Sequence, residues 1–143
     1  MSRYNAVKQM VSMRGFFIFA AMAAAVLCGC SAHEPHAGEI AGNAAKLYYD
    51  WLAEGKYDAY VDGFYRPDSI PGSYREQLIA NAKMFAAQQR EERGGIASVR
   101  LLRASADTAR HVGSAYLLLC YGDSTKEEIV VPMVEHKGVW MMR

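Results

Sequence analysis

Hydrophobic residues follow three different spacings along the chain. Residues 16 to 27 are apolar without interruption. Between about residues 41 and 93, apolar side chains recur every three or four positions, a spacing that predicts amphipathic helices. From residue 96 onward the period changes to two and β-branched and aromatic residues become more frequent, which predicts strands. An apolar leader is therefore followed by helices and then strands, the order typical of an α+β domain.

The helical region divides into three predicted helices. The first ends at Gly55 and is indicated by apolar residues at helical spacing: Ala41, Ala45, Tyr48 and Leu52. A short second helix is expected from Tyr57 to about Phe64, and the segment "RPDSIPGS" predicts a loop.

The third predicted helix is the longest. Ser73 and Glu76 have the spacing of a capping box, in which each side chain accepts a backbone N–H at the start of a helix. The helix is expected to run from Ser73 to about Arg93, because the glycine pair at residues 94 and 95 is a typical helix end.

Four strands are predicted, at about residues 96–104, 109–121, 126–135 and 139–143. Short turns between consecutive strands predict an antiparallel meander, with the three helices packed on one face of a curved sheet. The second and third strands are apolar on both sides, so both faces are expected to be covered, by the helical layer and by either a partner subunit or a lid. Pro132 cannot donate a ladder hydrogen bond and predicts a bulge or an edge.

The leader has the build of a signal sequence. Three basic residues, Arg3, Lys8 and Arg14, precede the twelve apolar residues. A helix of that length rises about 18 Å, well short of the roughly 30 Å of bilayer hydrocarbon. Translation from Met10 or Met13 instead of Met1 would leave the same apolar run, so the true start codon stays open.

The end of the leader resembles the lipobox of bacterial lipoproteins. In Leu27-Cys28-Gly29-Cys30, an aliphatic residue, a tolerant position and a small residue precede a cysteine. That resemblance implies that the sulfur of Cys30, the first mature residue, carries fatty acyl chains such as palmitate. Ser31 replaces the aspartate that retains similar lipoproteins in the inner membrane, so we expect an anchor in the outer membrane that faces the periplasm. An ordinary secretory signal cut near Ala32 is the alternative.

The expected organisation is a cleaved signal peptide (residues 1–29), a flexible tether (30–38) and one domain (39–143). The leader holds three of the 16 Lys and Arg, so the mature chain has thirteen basic residues against fifteen acidic ones. This balance gives no basic face for nucleic acid. We expect Cys120 to be a small buried hydrophobic residue. His33 and His36 lack the spacing of a metal site, and neither a metal nor a cofactor is predicted.

The order of the elements resembles the nuclear-transport-factor-like, or cystatin-like, cone fold over about residues 40–143. Two stretches carry the resemblance: "LYYDWLAEGKYDAYVD" matches a helix, a turn and a short helix, and "HKGVWMMR" matches a final strand with a Gly-x-Trp pattern. The same stretches resemble a group of small bacterial lipoproteins whose domains have no known function. The resemblance implies the fold and no particular activity.

Aromatic residues are concentrated in the first two predicted helices and suggest a pocket inside the cone. The ligand-pocket candidates are Tyr48, Trp51, Tyr60, Phe64, Tyr116 and Trp140. Filling of the core is the alternative role for these rings. Enzymes of this fold resemble one another in holding an Asp or His base in the pocket, and the weak candidates for that role are Glu135, Asp58 and His111.

Three functions remain open from the sequence. The leading hypothesis is a lipid-anchored envelope protein whose domain binds a small apolar ligand or another envelope protein. One alternative is a cone-fold isomerase or dehydratase that acts on a small apolar substrate. The other is a structural homodimer that pairs through the open face of the sheet.

Overall fold

The structure is a computed structural model that describes residues 36–143. It contains three helices, α1 (Ala37–Ala53), α2 (Tyr57–Asp62) and α3 (Gly72–Arg93), and four strands, β1 (Ile96–Asp107), β2 (Val112–Tyr121), β3 (Lys126–His136) and β4 (Val139–Met142). The strands form one curled antiparallel sheet in the order β1-β2-β3-β4. The three helices and the meander predicted from the sequence are thus present.

Residues Pro35–Arg143 make up a compact unit with its own hydrophobic core. We therefore expect this unit to fold without the preceding residues. Its first helix begins at Ala37, two residues before the predicted start of the domain. The predicted signal peptide, the lipidation site Cys30 and His33 lie outside the described residues. None of the helices in residues 36–143 combines the length and the hydropathy that a membrane-spanning helix requires.

Helix α1 lies close against the inner face of the sheet because the N-terminal half of its apolar stripe consists of small residues. Ala41 and Ala45 are fully buried against the sheet. A Cβ added at Gly42 would lie 2.7 Å from the Cβ of Ala104 and 2.9 Å from a methyl carbon of Leu101. Only a glycine allows the helix to approach β1 this closely.

Helix α3 begins one residue earlier than predicted, and the capping box is absent. Pro71 is the N-cap residue and no side chain caps the helix, so Ser73 lies within the first turn instead of at the cap. At the other end, Gly94 takes the left-handed conformation, with φ +77°, that ends many helices. The glycine pair therefore ends the helix as predicted.

Polar contacts hold α3 at both ends, whereas few side chains in its middle are buried. Near the start, Arg75 donates two hydrogen bonds to the carboxylate of Asp62, at 2.8 and 2.6 Å. At the end, Nη1 of Arg93 lies 2.9 Å from Oε2 of Glu127, which also accepts a 2.8 Å hydrogen bond from the Tyr121 hydroxyl. Between these contacts, Ala82 is the one residue of α3 that is buried.

Strand β2 begins at Val112, three residues later than predicted. The carboxylate of Asp107 accepts hydrogen bonds from the backbone N–H groups of Ala109 and Arg110, both at 3.1 Å. His111 then adopts a φ of +55°. These residues form a turn that holds the chain out of the ladder until Val112.

Pro132 does not interrupt the ladder between β2 and β3, whose register runs unbroken through its pairing with Ser114. The backbone N–H of Arg143 donates to the Pro132 carbonyl at 3.0 Å. Because the nitrogen and the carbonyl of one strand residue point to the same side, the missing donor faces the end of β4. Pro132 therefore occupies an edge-like position, and the sheet's irregularities lie in β1 instead.

The two faces of the sheet differ in their cover. The inner face packs against α1 and contributes buried residues from β2, β3 and β4: Ala115, Leu117, Leu119, Tyr121, Val131, Met133, Trp140 and Met142. On the outer face, Val130 and Val139 are each 54% exposed. Within residues 36–143 no helix covers this outer face, so the cover predicted for it is not supplied by this part of the chain.

Candidate functional site

An apolar cleft of about 400 Å³ lies between α2, the segment after it and α3. Its walls are formed mainly by aliphatic and aromatic side chains: Leu52, Tyr60, Val61, Phe64, Tyr65, Leu78, Ala82 and Phe85. Leu52, Val61 and Ala82 form a small buried cluster at its base. The volume falls in the range of sites that hold small organic molecules.

The cleft is present because α3 spans a gap that its own side chains do not fill. Ala82 is small, while the neighbouring Phe85 remains 41% exposed at the rim. Met84, on the adjacent surface of α3, is 71% exposed. An apolar strip therefore continues from the cleft onto the outside of the helix.

Aromatic rings in edge-to-face contact form the wall opposite α3. Tyr60 makes edge-to-face contacts with Tyr49 and Phe64, with ring centroids 5.6 and 5.4 Å apart. Burial, followed by the neighbouring Tyr49, raises the pKa of Tyr60 well above its ordinary value. The Tyr60 phenol is therefore neutral at physiological pH and serves as a hydrogen-bonding group without charge.

The polar groups of the cleft are few. Arg66 and Asn81 line it together with the phenols of Tyr60 and Tyr65. Nη2 of Arg66 donates a 2.8 Å hydrogen bond to the carbonyl of Val61, which fixes the guanidinium beside the cleft. None of the lining residues carries a carboxylate or an imidazole.

Two of the six predicted pocket residues, Tyr60 and Phe64, line this cleft. The hydroxyl of Tyr48 instead donates to the backbone carbonyl of Trp140 at 2.9 Å, and Trp51 packs edge-on against Tyr48. Trp140 itself is buried in the main core. Tyr48 and Trp140 thus join α1 to β4 and pack in the core, the alternative role considered for the rings, while Trp51 is partly exposed beside Tyr48.

Tyr116 lies on the opposite face of the sheet from the other aromatic residues, contrary to the expectation that it faces them. Its neighbours Ala115 and Leu117 are fully buried on the inner face, so alternation directs Tyr116 outward. There the guanidinium of Arg103 lies 3.6 Å from the centre of its ring and 3.1 Å from Glu128. Tyr116 belongs to the outer face and cannot contact a ligand in the cleft.

The candidate acid-base residues are all outside the cleft. Asp58 is exposed on α2. His111 is exposed in the turn before β2, and its Nδ1 lies 3.0 Å from Oε2 of Glu135. In this pair the His111 side chain is 64% exposed and the Glu135 side chain 26% exposed, and neither residue lines the cleft.

The described part of the chain offers no ready set of metal ligands. In residues 36–143 no three His, Cys, Asp or Glu side chains come together as a metal site would require.

Cys120 is partly exposed on the outer face, where it pairs in register with Lys126. It is therefore not the buried residue that the sequence predicted.

The contribution of α3 to the cleft was not predicted from the sequence. Leu78, Ala82 and Phe85 follow a helical stripe, and that stripe indicates an apolar face without showing whether a neighbour fills it. Arg66 and Asn81 gave no signal, because a single arginine in a loop and a single asparagine in a helix are common on any surface.

Comparisons with known proteins identify the fold. An NTF2-like protein from Campylobacter jejuni, which carries a provisional transpeptidase designation, superposes with a TM-score of 0.57 over 70% of this chain and 94% of its own. The chain has an NTF2-like fold. The two sequences are 10% identical, so the likeness concerns the fold alone.

A second solved structure, a SEC-C motif-containing protein from Rhodopseudomonas palustris, has a TM-score of 0.48 and 13% identity over 69% of this chain and 71% of its own. No protein-family model matches the sequence, and no curated protein matches it either. The NTF2-like fold agrees with the cone fold that the element order suggested.

Proposed function

We propose that this chain is a lipid-anchored envelope protein whose NTF2-like domain binds a small apolar molecule in the cleft beneath α3. The observation that carries the proposal is the cleft itself, whose aliphatic and aromatic walls are open to a ligand. Contiguous apolar surface of this kind on a small domain commonly marks a binding site.

The anchor is argued from the sequence. The lipobox-like Leu27-Cys28-Gly29-Cys30 follows the apolar run at the point where a lipoprotein signal ends. Two or three acyl chains on one cysteine hold a protein stably on a membrane. The native protein should yield an N-terminal peptide that begins at Cys30 and carries fatty acyl mass, whereas Cys30→Ser should move the protein to the soluble fraction. An unmodified peptide would contradict the anchor.

Ligand binding is tested with the unit of residues 35–143 and a neutral fluorescent probe, N-phenyl-1-naphthylamine, whose emission rises in apolar surroundings. We expect saturable binding. In Ala82→Leu the larger side chain fills the base of the cleft and should weaken the probe's binding several-fold. Ala80→Leu makes the same change at an exposed position of α3 and should leave binding unchanged.

Loss of binding in both variants, or no saturable binding by the parent unit, would contradict the proposal. Thermal unfolding of each variant separates a blocked cleft from a destabilised fold. Phe85→Ala provides a second measurement, because it removes a rim contact that is 41% exposed and leaves the base of the cleft intact.

A second candidate function is self-association or envelope-protein binding through the outer face of the sheet. The exposed Val130 and Val139 favour it, since exposed apolar side chains on an uncovered sheet face can mark an interaction surface. The isomerase or dehydratase alternative receives no comparable support, because Asp58, His111 and Glu135 do not line the cleft.

A further inference from the structure

The charge at the cleft has one sign. Arg66 is the one charged side chain among the ten lining residues, and the remaining polar groups are the amide of Asn81 and two phenols. An apolar ligand with a cationic head would meet a like charge there. A ligand with an anionic head would meet an opposite charge together with neutral hydrogen-bond donors.

Arg66 is held in place and retains donors for a ligand. One of its five N–H donors is used by the carbonyl of Val61. Among residues 36–143 no carboxylate forms an ion pair with Arg66, and the neighbouring Asp62 pairs with Arg75 instead. The positive charge of Arg66 still reaches Asp62 and contributes, after Arg75, to lowering the pKa of that carboxyl.

The geometry points to a single-chain amphiphile with an anionic head as the ligand of the cleft, its alkyl chain between α2 and α3 and its head on Arg66. This inference rests on the proposed ligand binding and adds the ligand's chemical class. A guanidinium pairs with a carboxylate or a phosphate through two parallel hydrogen bonds, a geometry that an ammonium or an alcohol cannot match.

The first test displaces the bound N-phenyl-1-naphthylamine from residues 35–143 with three ten-carbon compounds at neutral pH: decanoate, decanol and decyltrimethylammonium. They share the alkyl chain and differ in the charge of the head. We expect decanoate to displace the probe at the lowest concentration and decyltrimethylammonium at the highest. Added salt should reduce the difference between the concentrations at which decanoate and decyltrimethylammonium displace the probe, because the charged head remains close to solvent and is screened.

The second test removes the charge. Arg66→Met keeps a chain of similar length, and we expect decanoate to bind at least about tenfold more weakly because its charge-assisted pair with the guanidinium is lost, while decanol is unaffected. Arg66→Lys should retain part of the preference for decanoate. Arg100→Met is the matched control, because Arg100 is exposed on β1 at a position paired with the outer-face residue Leu118.

The outcomes separate the two proposals. If the probe binds and the three compounds displace it equally, the cleft binds apolar chains and the inference about the anionic head is wrong. If the probe does not bind, the proposed function itself fails. If Arg66→Met fails to fold after losing its hydrogen bond to Val61, the ranking of the three compounds on the parent protein still tests the inference about the anionic head.

Discussion

Gly42 determines how closely α1 lies against β1. An added Cβ would lie 2.7 Å from Ala104 and 2.9 Å from Leu101, closer than side chains pack without movement. We predict that Gly42→Ala lowers the free energy of unfolding by about 1–2 kcal/mol, because overpacking outweighs the better helix propensity of alanine. Urea denaturation of residues 35–143 measures the change.

The matched control is Gly72→Ala at the start of α3, where no atom lies within 4 Å of the added Cβ. There alanine restricts the unfolded chain without a clash, so stability should stay constant or rise by up to about 1 kcal/mol. Equal destabilisation by both substitutions would show that the contact between Gly42 and β1 is not the cause.

At the scale of the element, α3 depends on its polar contacts because so little of it is buried. The hydrogen bonds from Arg75 are the main cause that lowers the pKa of Asp62, against a smaller opposing effect of burial. The folded-state pKa is therefore below the unfolded value of about 3.9. The pair stabilises the fold fully above that value, and its contribution is lost as the pH falls through the folded-state pKa.

We predict that Asp62→Asn loosens the first turns of α3, seen as faster amide hydrogen exchange there at neutral pH. The free-energy change should be under about 1 kcal/mol, because the Asp62 side chain is 54% exposed and the pair is screened by solvent. Below about pH 4 the difference between the variant and the parent should shrink. Asp68→Asn, an exposed carboxylate on the preceding loop, is the control, and an identical effect there would rule out the specific pair.

The sequence predicted the existence of each element better than the space between elements. Periodicity depends on neighbours within one helix or strand, and it located α3 to within a residue at its start. The cleft depends on how far α3 stands from α2, which is set by contacts across 13 and 34 residues, from Arg75 to Asp62 and from Arg93 to Glu127. Single-sequence patterns carry no information on those pairings.

Tyr116 shows the same limit for strands. Alternation divides the residues of β2 into two faces, but when both faces are apolar it does not indicate which of them meets the helices. The inner face is the one with fully buried Ala115 and Leu117. Of these predicted pocket residues, Tyr116 therefore lies on the outer face, whereas Tyr60 and Phe64 line the cleft.

At the scale of the whole molecule, the fold was predictable from element order because short turns leave few ways to arrange four consecutive strands. The helices then cover one face and leave the other bare within residues 36–143. On that bare face the exposed Val130 and the partly exposed Leu118 lie beside charged side chains such as Glu128. Within the described residues, exposed apolar surface is thus found both in the cleft and on the outer face.

The outer face leads to a prediction about assembly. Residues 35–143 should self-associate reversibly in sedimentation velocity as the protein concentration rises, because pairing two outer faces buries Val130 and Val139 from both copies. Val130→Lys places a charge in the middle of that face and should shift the protein to monomer without lowering its melting temperature. Met84→Lys, an equally drastic change at the more exposed position on α3, should leave the association unchanged. A parent unit that stays monomeric at every concentration would contradict self-association through the outer face.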